Sequence, residues 1–202
     1  MSLSIVISCY NKSKYIRRCL DSLASVDYDV SVIDDCSTDN SYDIVSEYQF
    51  KHERLDKNHG VSYVRNKQID DCKSEYIMFL DGDDFLVPHQ DLIESLNGGE
   101  LYVAPYYLKS HNRPTKLVNQ RISNRRQMSS VIVSIKALKD HNIRFNENLK
   151  NLEDLEFIFR LFKFMSPEYI DIPYYTYHKN ESGKRIRNIV QLRKQLAKIR
   201  NN

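Results

Sequence analysis

Three acidic groups in this chain have the residue types and settings for chemistry on a charged substrate. Asp81, Gly82 and Asp83 form an Asp-x-Asp directly after the apolar run 75–80, EYIMFL. Carboxylates are the ligands a hard divalent cation prefers, and such a cation neutralises the charge that builds on a diphosphate as it leaves. Glycine between them lets the backbone approach a ligand closely. Asp34 and Asp35 close a second apolar run, 30–33, where a carboxylate could accept hydrogen bonds from a nucleotide base or from ribose hydroxyls. Glu153 and Asp154 open an amphipathic stretch, and a carboxylate facing an acceptor hydroxyl there would serve as a general base. His178 could approach a metal or a diphosphate, and Lys184, Arg185 and Arg187 could fold over a leaving group as a lid. Read singly, each group is also an ordinary feature: a turn after a strand, a set of helix-capping residues, a helix start that favours carboxylates, a surface histidine and a solvated basic face.

These side chains can meet only if the elements between them place them together. Residues 3–9 (LSIVISC) read as a short buried strand, and Ser13 stands as the N-cap of a helix carrying Ile16, Leu20, Leu23 and Ala24. The unit repeats with a strand at 30–33 and a helix through Ile44, Val45 and Tyr48. A weak strand at 52–55, a turn at Asn58, His59 and Gly60, and a helix with Val61, Val64, Gln68 and Cys72 on one face follow. The run 75–80 is the clearest strand. This alternation predicts an α/β fold with a parallel, doubly wound sheet. Such sheets bind ligands at the carboxyl ends of their strands, where the clusters at 34–39 and 81–84 both fall.

Further along, the pattern predicts a short helix at 91–96, a strand at 101–108 and a long patternless loop over 109–127. A helix capped by Asn151 and built on Leu155, Phe157, Ile158, Leu161 and Phe162 comes next. A last strand lies within 169–177, and 184–200 form a basic amphipathic helix or a frayed tail. The expected organisation is one domain over 1–178 and a basic tail over 179–202.

Composition is that of an ordinary soluble chain, 41% hydrophobic and 28% charged. Cys9, Cys19, Cys36 and Cys72 form no C-x-x-C pair and each falls in or beside an element, which favours reduced thiols and a cytoplasmic setting. No basic region precedes the first apolar stretch, and no apolar run approaches the about 18 residues a membrane span needs, so neither secretion nor insertion is expected. Segments 109–126 (+6) and 179–202 (+7) exceed the whole net charge of +3, which leaves −10 on the rest. An acidic body with basic margins suits a metal held by carboxylates and an anionic ligand gripped from outside, although solvated helix faces give the same totals. The basic tail lacks interleaved aromatics, so no nucleic-acid partner is expected; peripheral contact with the inner membrane surface fits it equally well.

In order and spacing, SIVISCYN, VIDDCSTDNS, NHGVSYVRN, YIMFLDGDD and RFNENLKNLEDLEF resemble the family 2 glycosyltransferases with the GT-A fold, over residues 3–165. The resemblance implies a nucleotide-binding set of Ser8, Tyr10, Asn11, Asp34, Asp35, Arg65 and Asp81, with one of the two aspartates at 34 and 35 on the base. Pro or Thr often stands in that family where this chain has Ser8 and Cys9, Gly where it has Cys36, and Ala where it has Val64 before Arg65 and Asn66. It further implies that Asp83 ligates Mn2+ or Mg2+, that Asp81 holds ribose or metal-bound water, and that Asp154 is the catalytic base with Glu153 in support. His178 is a weaker candidate at the metal. The implied reaction moves a sugar from a nucleotide-diphosphate donor, UDP favoured, to an acceptor hydroxyl by one inverting displacement, the acceptor being a glycan or lipid-linked surface polymer. Residues 101–150 and the tail would bind that acceptor, alone or with a partner or a second copy. A nucleotidyltransferase would normally show a glycine-rich loop after the first strand, where this chain has CYNKSK. A non-catalytic sugar-nucleotide or polyanion module has no physical need for both Asp83 and Asp154.

Overall fold

A computed structural model of the chain describes residues 1–87, 89, 91–110, 113–119 and 127–179. Its first half follows the expected alternation: β1 (Leu3–Cys9), α1 (Ile16–Asp21), β2 (Asp29–Asp34), α2 (Ser41–Ser46), β3 (Lys51–Arg54), α3 (Val61–Asp71) and β4 (Tyr76–Asp81). Strand alternation divides the apolar residues between two cores. Leu3, Ile5, Ile7 and Cys9 of β1 face Ile16, Cys19, Leu20 and Leu23, whereas Val6 faces the other side with Ile69 of α3. A one-residue slip would exchange the two faces, so burial fixes the register. That register sets Cys9 beside Asp34 and Ser8 beside Asp81, so the acidic ends of β2 and β4 flank the end of β1.

The second half adds β5 (Phe85–Leu86), β6 (Leu101–Val103), β7 (Tyr106–Ser110), β8 (Arg113–Val118), β9 (Val131–Ser134), α4 (Ile135–Asp140), α5 (Glu153–Phe164), β10 (Glu168–Tyr169) and β11 (Tyr175–Lys179). The main sheet runs β10-β6-β9-β4-β1-β2-β3, with β9 antiparallel to both β4 and β6. A second sheet, β5-β11-β7-β8, stands beside it. Phe157, Ile158 and Leu161 of α5 share a core with Val6, Ile69, Ile77 and Phe79, which places α5 on the same face as α3.

Several local expectations are corrected. Ser13 does not cap α1: its amide donates to Asp39 Oδ2 (3.1 Å), and Tyr15 takes the cap position without a side-chain bond. The expected helix at 91–96 is a run of turns, in which Ser95 Oγ donates to Leu92 O and competes with helical bonding. The expected strand at 101–108 is two strands in different sheets, because Pro105 has no N–H with which to continue a ladder. Part of the expected loop at 109–127 is β8, an edge strand antiparallel to β7. The expected strand within 169–177 is likewise divided between β10 and β11. Asn151 does not cap α5; Leu152 does so in a left-handed conformation, φ 70°. The tail expectations at 180–202, including Lys184, Arg185 and Arg187, lie outside the described residues. No described helix is long and apolar enough to cross a membrane. All four cysteines are free thiols, Cys9 and Cys19 buried.

Candidate active site

The loops at the carboxyl edge of the parallel strands are tied together by short polar side chains. Asn11, itself at φ 51°, accepts the Thr38 amide on Oδ1 (2.8 Å) while its own amide donates to Ser37 Oγ (2.9 Å). Ser8 Oγ donates to Gln68 Oε1 (3.2 Å), and Gln68 Nε2 donates to Ile7 O (2.8 Å), which fixes α3 against the end of β1. Tyr10 stands at the rim, 44% exposed. Four of the six described residues with positive φ, Asn11, Cys36, Gly60 and Leu152, lie in the loops of this rim. Strained backbone of this kind persists where the surroundings over-determine it, as at ligand sites.

The two adjacent aspartates after β2 hold the scaffold. Asp34 is fully buried and accepts the Ser37 amide (2.9 Å) and hydroxyl, with Arg54 Nε 3.6 Å away. Asp35 spends one oxygen on the His59 amide and the other on the Gly60 amide, both at 2.8 Å, and so holds the start of α3.

Each carboxylate of the Asp-x-Asp meets a cation of the chain. Arg65 Nη2 donates to Asp81 Oδ1 (2.8 Å), and Lys12 Nζ donates to Asp83 Oδ2 (2.8 Å). Arg18 Nη2 donates to the Asp83 carbonyl (2.8 Å) while its guanidinium lies over the Phe85 ring. A Cβ at Gly82 would meet Ile16 Cδ1 at 3.2 Å and Lys12 Cγ at 3.6 Å, so this turn packs directly against the β1–α1 loop.

Arg65 and Asn66 bring the start of α5 to this edge. Asn66 exchanges bonds with the backbone of Phe145, its Oδ1 accepting at 2.8 Å and its Nδ2 donating at 3.0 Å. Phe145 stacks on Phe157 of α5 (3.8 Å, 4°) and packs edge-on against Phe79 of β4. Arg65, only 4% exposed, lies over the other side of this aromatic set, 5.2 Å from the Phe145 ring, and its Nη1 is 3.6 Å from Glu153 Oε1. One buried guanidinium therefore joins Asp81 at the end of β4 to Glu153 at the start of α5. Burial is the largest influence on Glu153 and Asp154 and holds both carboxyls above the ordinary range. Asp154 raises Glu153 further, and Asp81 raises both. The Leu155 amide works in the opposite sense on Asp154, and Arg65 does so on both.

Tyr177 of β11 belongs to the same field: burial first, then Asp84, Asp83 and Asp81, push its hydroxyl up to about 12. His178 pairs through its backbone register with Lys109 of β7, and its side chain lies outside the described residues. Among the described residues, no three His, Cys, Asp or Glu side chains stand close enough to hold a cation between them. Asp81 and Asp83 nevertheless supply the hard oxygen donors that Mn2+ and Mg2+ favour. Mg2+ ordinarily takes one or two carboxylates and fills its other positions with phosphate oxygens and water. The pair fits such an ion in company with a diphosphate rather than as an all-protein cage.

Asp81, Arg65, Glu153 and Asp154 thus come together, with Ser8 next to Asp81 in register and Asp83 held by Lys12, whereas Asp34 and Asp35 hold the neighbouring loops from within. Sequence reasoning missed Lys12, Arg18 and Phe145. Their partners are distant in sequence, Lys12 and Asp83 being 71 residues apart, and no spacing reports such a pair. The available signal was position: Lys12 and Arg18 follow β1 at the edge where the acidic clusters end.

This mainly parallel sheet, carrying an antiparallel strand and a cluster of carboxylates at its carboxyl edge, has the GT-A architecture. The chain belongs to glycosyl transferase family 2, whose family model matches residues 4–166. It is similar to the teichoic acid poly(glycerol phosphate) polymerase of Staphylococcus epidermidis, 26% identical over 189 residues that cover 81% of this chain and 26% of that protein. The poly(ribitol-phosphate) beta-N-acetylglucosaminyltransferase TarS of Staphylococcus aureus is 30% identical over 187 residues, 80% of this chain and 32% of that protein. The crystal structure of S. aureus TarS 1–349 in complex with UDP-GlcNAc superposes with a TM-score of 0.75 at 26% identity, covering 90% of this chain and 60% of that one. The chain thus spans about a quarter to a third of the length of these curated relatives.

Proposed function

We propose that this chain carries the donor-binding and catalytic machinery of an inverting glycosyltransferase that uses a nucleotide-diphosphate sugar, with UDP as the favoured nucleotide. The observation that carries the proposal is the Arg65 bridge, which sets Asp81 and Glu153 on two sides of one guanidinium with Asp154 beside them. In the proposed reaction, the acceptor oxygen attacks the anomeric carbon from the face opposite the diphosphate. The carbon–oxygen bond to the phosphate breaks, its electron pair leaves with the nucleoside diphosphate, and the hydroxyl proton passes to Asp154. One displacement inverts the centre and needs no carboxylate nucleophile, unlike the retaining two-carboxylate scheme. A base is most effective when its pKa approaches the working pH, and burial moves Asp154 in that direction. Asp81 and Asp83 would hold Mn2+ or Mg2+, which supplies charge neutralisation to the diphosphate when bound.

The acceptor proposed is a hydroxyl-bearing surface polymer. The relatives' names specify poly(glycerol phosphate) and poly(ribitol-phosphate), both polyanions, and segment 109–126 carries six Lys or Arg and no acid. A thermal-shift panel of nucleotide diphosphates and their sugars, with and without Mn2+ or Mg2+, tests the donor assignment. Stabilisation by UDP that depends on metal is the expected result; no shift with any nucleotide in either metal contradicts it.

A further inference from the structure

Lys12 belongs to none of the roles assigned above, yet its ammonium lies 2.8 Å from Asp83 Oδ2. We propose that Lys12 is the resident counter-cation of the Asp-x-Asp turn: it holds Asp83 until a divalent cation arrives, and then turns to the donor's diphosphate. This rests on the donor reading above and adds to it a switch between two partners of one side chain.

The geometry separates a fixed backbone from a movable head. The Lys12 amide donates to Ser41 Oγ (2.7 Å), and its carbonyl accepts from the amides of Tyr15 (2.8 Å) and Ile16 (2.9 Å). Its stem passes Gly82, where even a Cβ would stand 3.6 Å from Lys12 Cγ, an ordinary contact that leaves the stem unclamped. The Lys12 side chain is 31% exposed and that of Asp83 19%, so water reaches the pair and either partner can leave it. A lysine head is a compact charge on four rotatable carbons, suited to exchanging one anion for another. The turn itself does not depend on this contact, since Arg18 holds the Asp83 carbonyl and Arg65 holds Asp81. Asp83 cannot give the same oxygen to Lys12 and to a metal at full strength, so the two cations compete there. Once displaced, the ammonium is left at the mouth of the crevice, where a diphosphate is the anion that restores its neutrality.

Two measurements on the full chain test this. Mn2+ binding without nucleotide, read by calorimetry or by Mn2+ paramagnetic resonance, is compared in the native chain, Lys12→Met and Lys12→Arg. Lys12→Met is expected to bind Mn2+ about fivefold or more tightly and to bind UDP more weakly in saturating Mn2+, and Lys12→Arg to stay close to the native chain. Equal Mn2+ affinity in the native chain and a folded Lys12→Met overturns the switch and leaves the donor reading intact. Absence of both Mn2+ and UDP binding in every variant overturns the two together. The second measurement needs no substitution: amine labelling of the native chain, read by mass spectrometry, is expected to rise at Lys12 on adding Mg2+ and to fall again with UDP. Labelling unchanged by Mg2+ overturns the proposal.

Discussion

Arg65 Nη2 lies 2.8 Å from Asp81 Oδ1, and this contact closes the gap between α3 and the end of β4 from within the protein. Removing a partner from a fully buried ion pair costs about 3–5 kcal/mol. Asp81, 42% exposed, can still recover some hydration, so Arg65→Met is expected to fall short of that range. Denaturant unfolding measures it. The same substitution removes the cation that lowers Glu153 and Asp154, so both carboxyls rise further. The acid limb of the kcat/KM profile then moves to higher pH, and an unmoved limb would show that Arg65 does not tune the base.

Asp154→Asn separates stability from activity. Burial raises the folded Asp154 pKa above its unfolded value, so the fold binds this proton more tightly than the unfolded chain does. Its contribution to stability is full at acid pH, below the ordinary carboxylate value, and is lost as the pH rises through the folded pKa. Asparagine stays neutral throughout. The variant is therefore expected to unfold at a higher temperature than the native chain at neutral pH, with the difference shrinking as the pH is lowered. Its transfer rate is expected to fall by about 10²–10⁴-fold, the usual contribution of a positioned base.

Asp35 is expected to behave as scaffold. Its two oxygens hold the His59 and Gly60 amides, and hydrogen bonds to a charged group contribute about 1.5–3 kcal/mol each. Asp35→Asn keeps one acceptor and loses one such bond, a deficit that chemical denaturation detects without any nucleotide present. Unchanged stability would show that the loop before α3 does not rely on this carboxylate.

Cys36 occupies φ 60° in the turn after β2, which glycine adopts freely and an L side chain adopts at a cost of about 1–2 kcal/mol. Cys36→Gly is expected to stabilise by up to about 1 kcal/mol once glycine's extra unfolded-state entropy is subtracted. Cys36→Val is expected to destabilise. The two thermal midpoints, measured together, check the sign.

What the sequence made legible follows from where local pattern and tertiary structure agree. Strands β1, β2 and β4 are short apolar runs that end in acid, and their bounds fall within about a residue of the expected ones, as does the carboxyl edge on which the site is built. The caps were misplaced because Asp39 reaches across from another loop to Ser13, and because Leu152, not a usual capping type, enters the left-handed conformation. Strand β9 hid in a stretch with no alternation, VIVS, buried on both faces between β4 and β6. Strand β8 hid in a basic, proline-bearing segment because an edge strand needs no apolar stripe on either face. At the site, residue types and order marked Asp81, Asp83, Arg65, Glu153 and Asp154. The pairings that arrange them, Lys12 with Asp83 and Phe145 between Arg65 and Phe157, join segments distant in sequence and emerge only on folding.

If the end of β4 and the start of α5 face one donor site, a crystal structure of the chain soaked with UDP and Mn2+ will show diphosphate density against Asp81 and Asp83 on the side where Asp154 stands. Diphosphate bound elsewhere, such as in the groove formed by Ser31, Glu53 and Asp71 beneath α3, with the Asp81 edge empty, would contradict it.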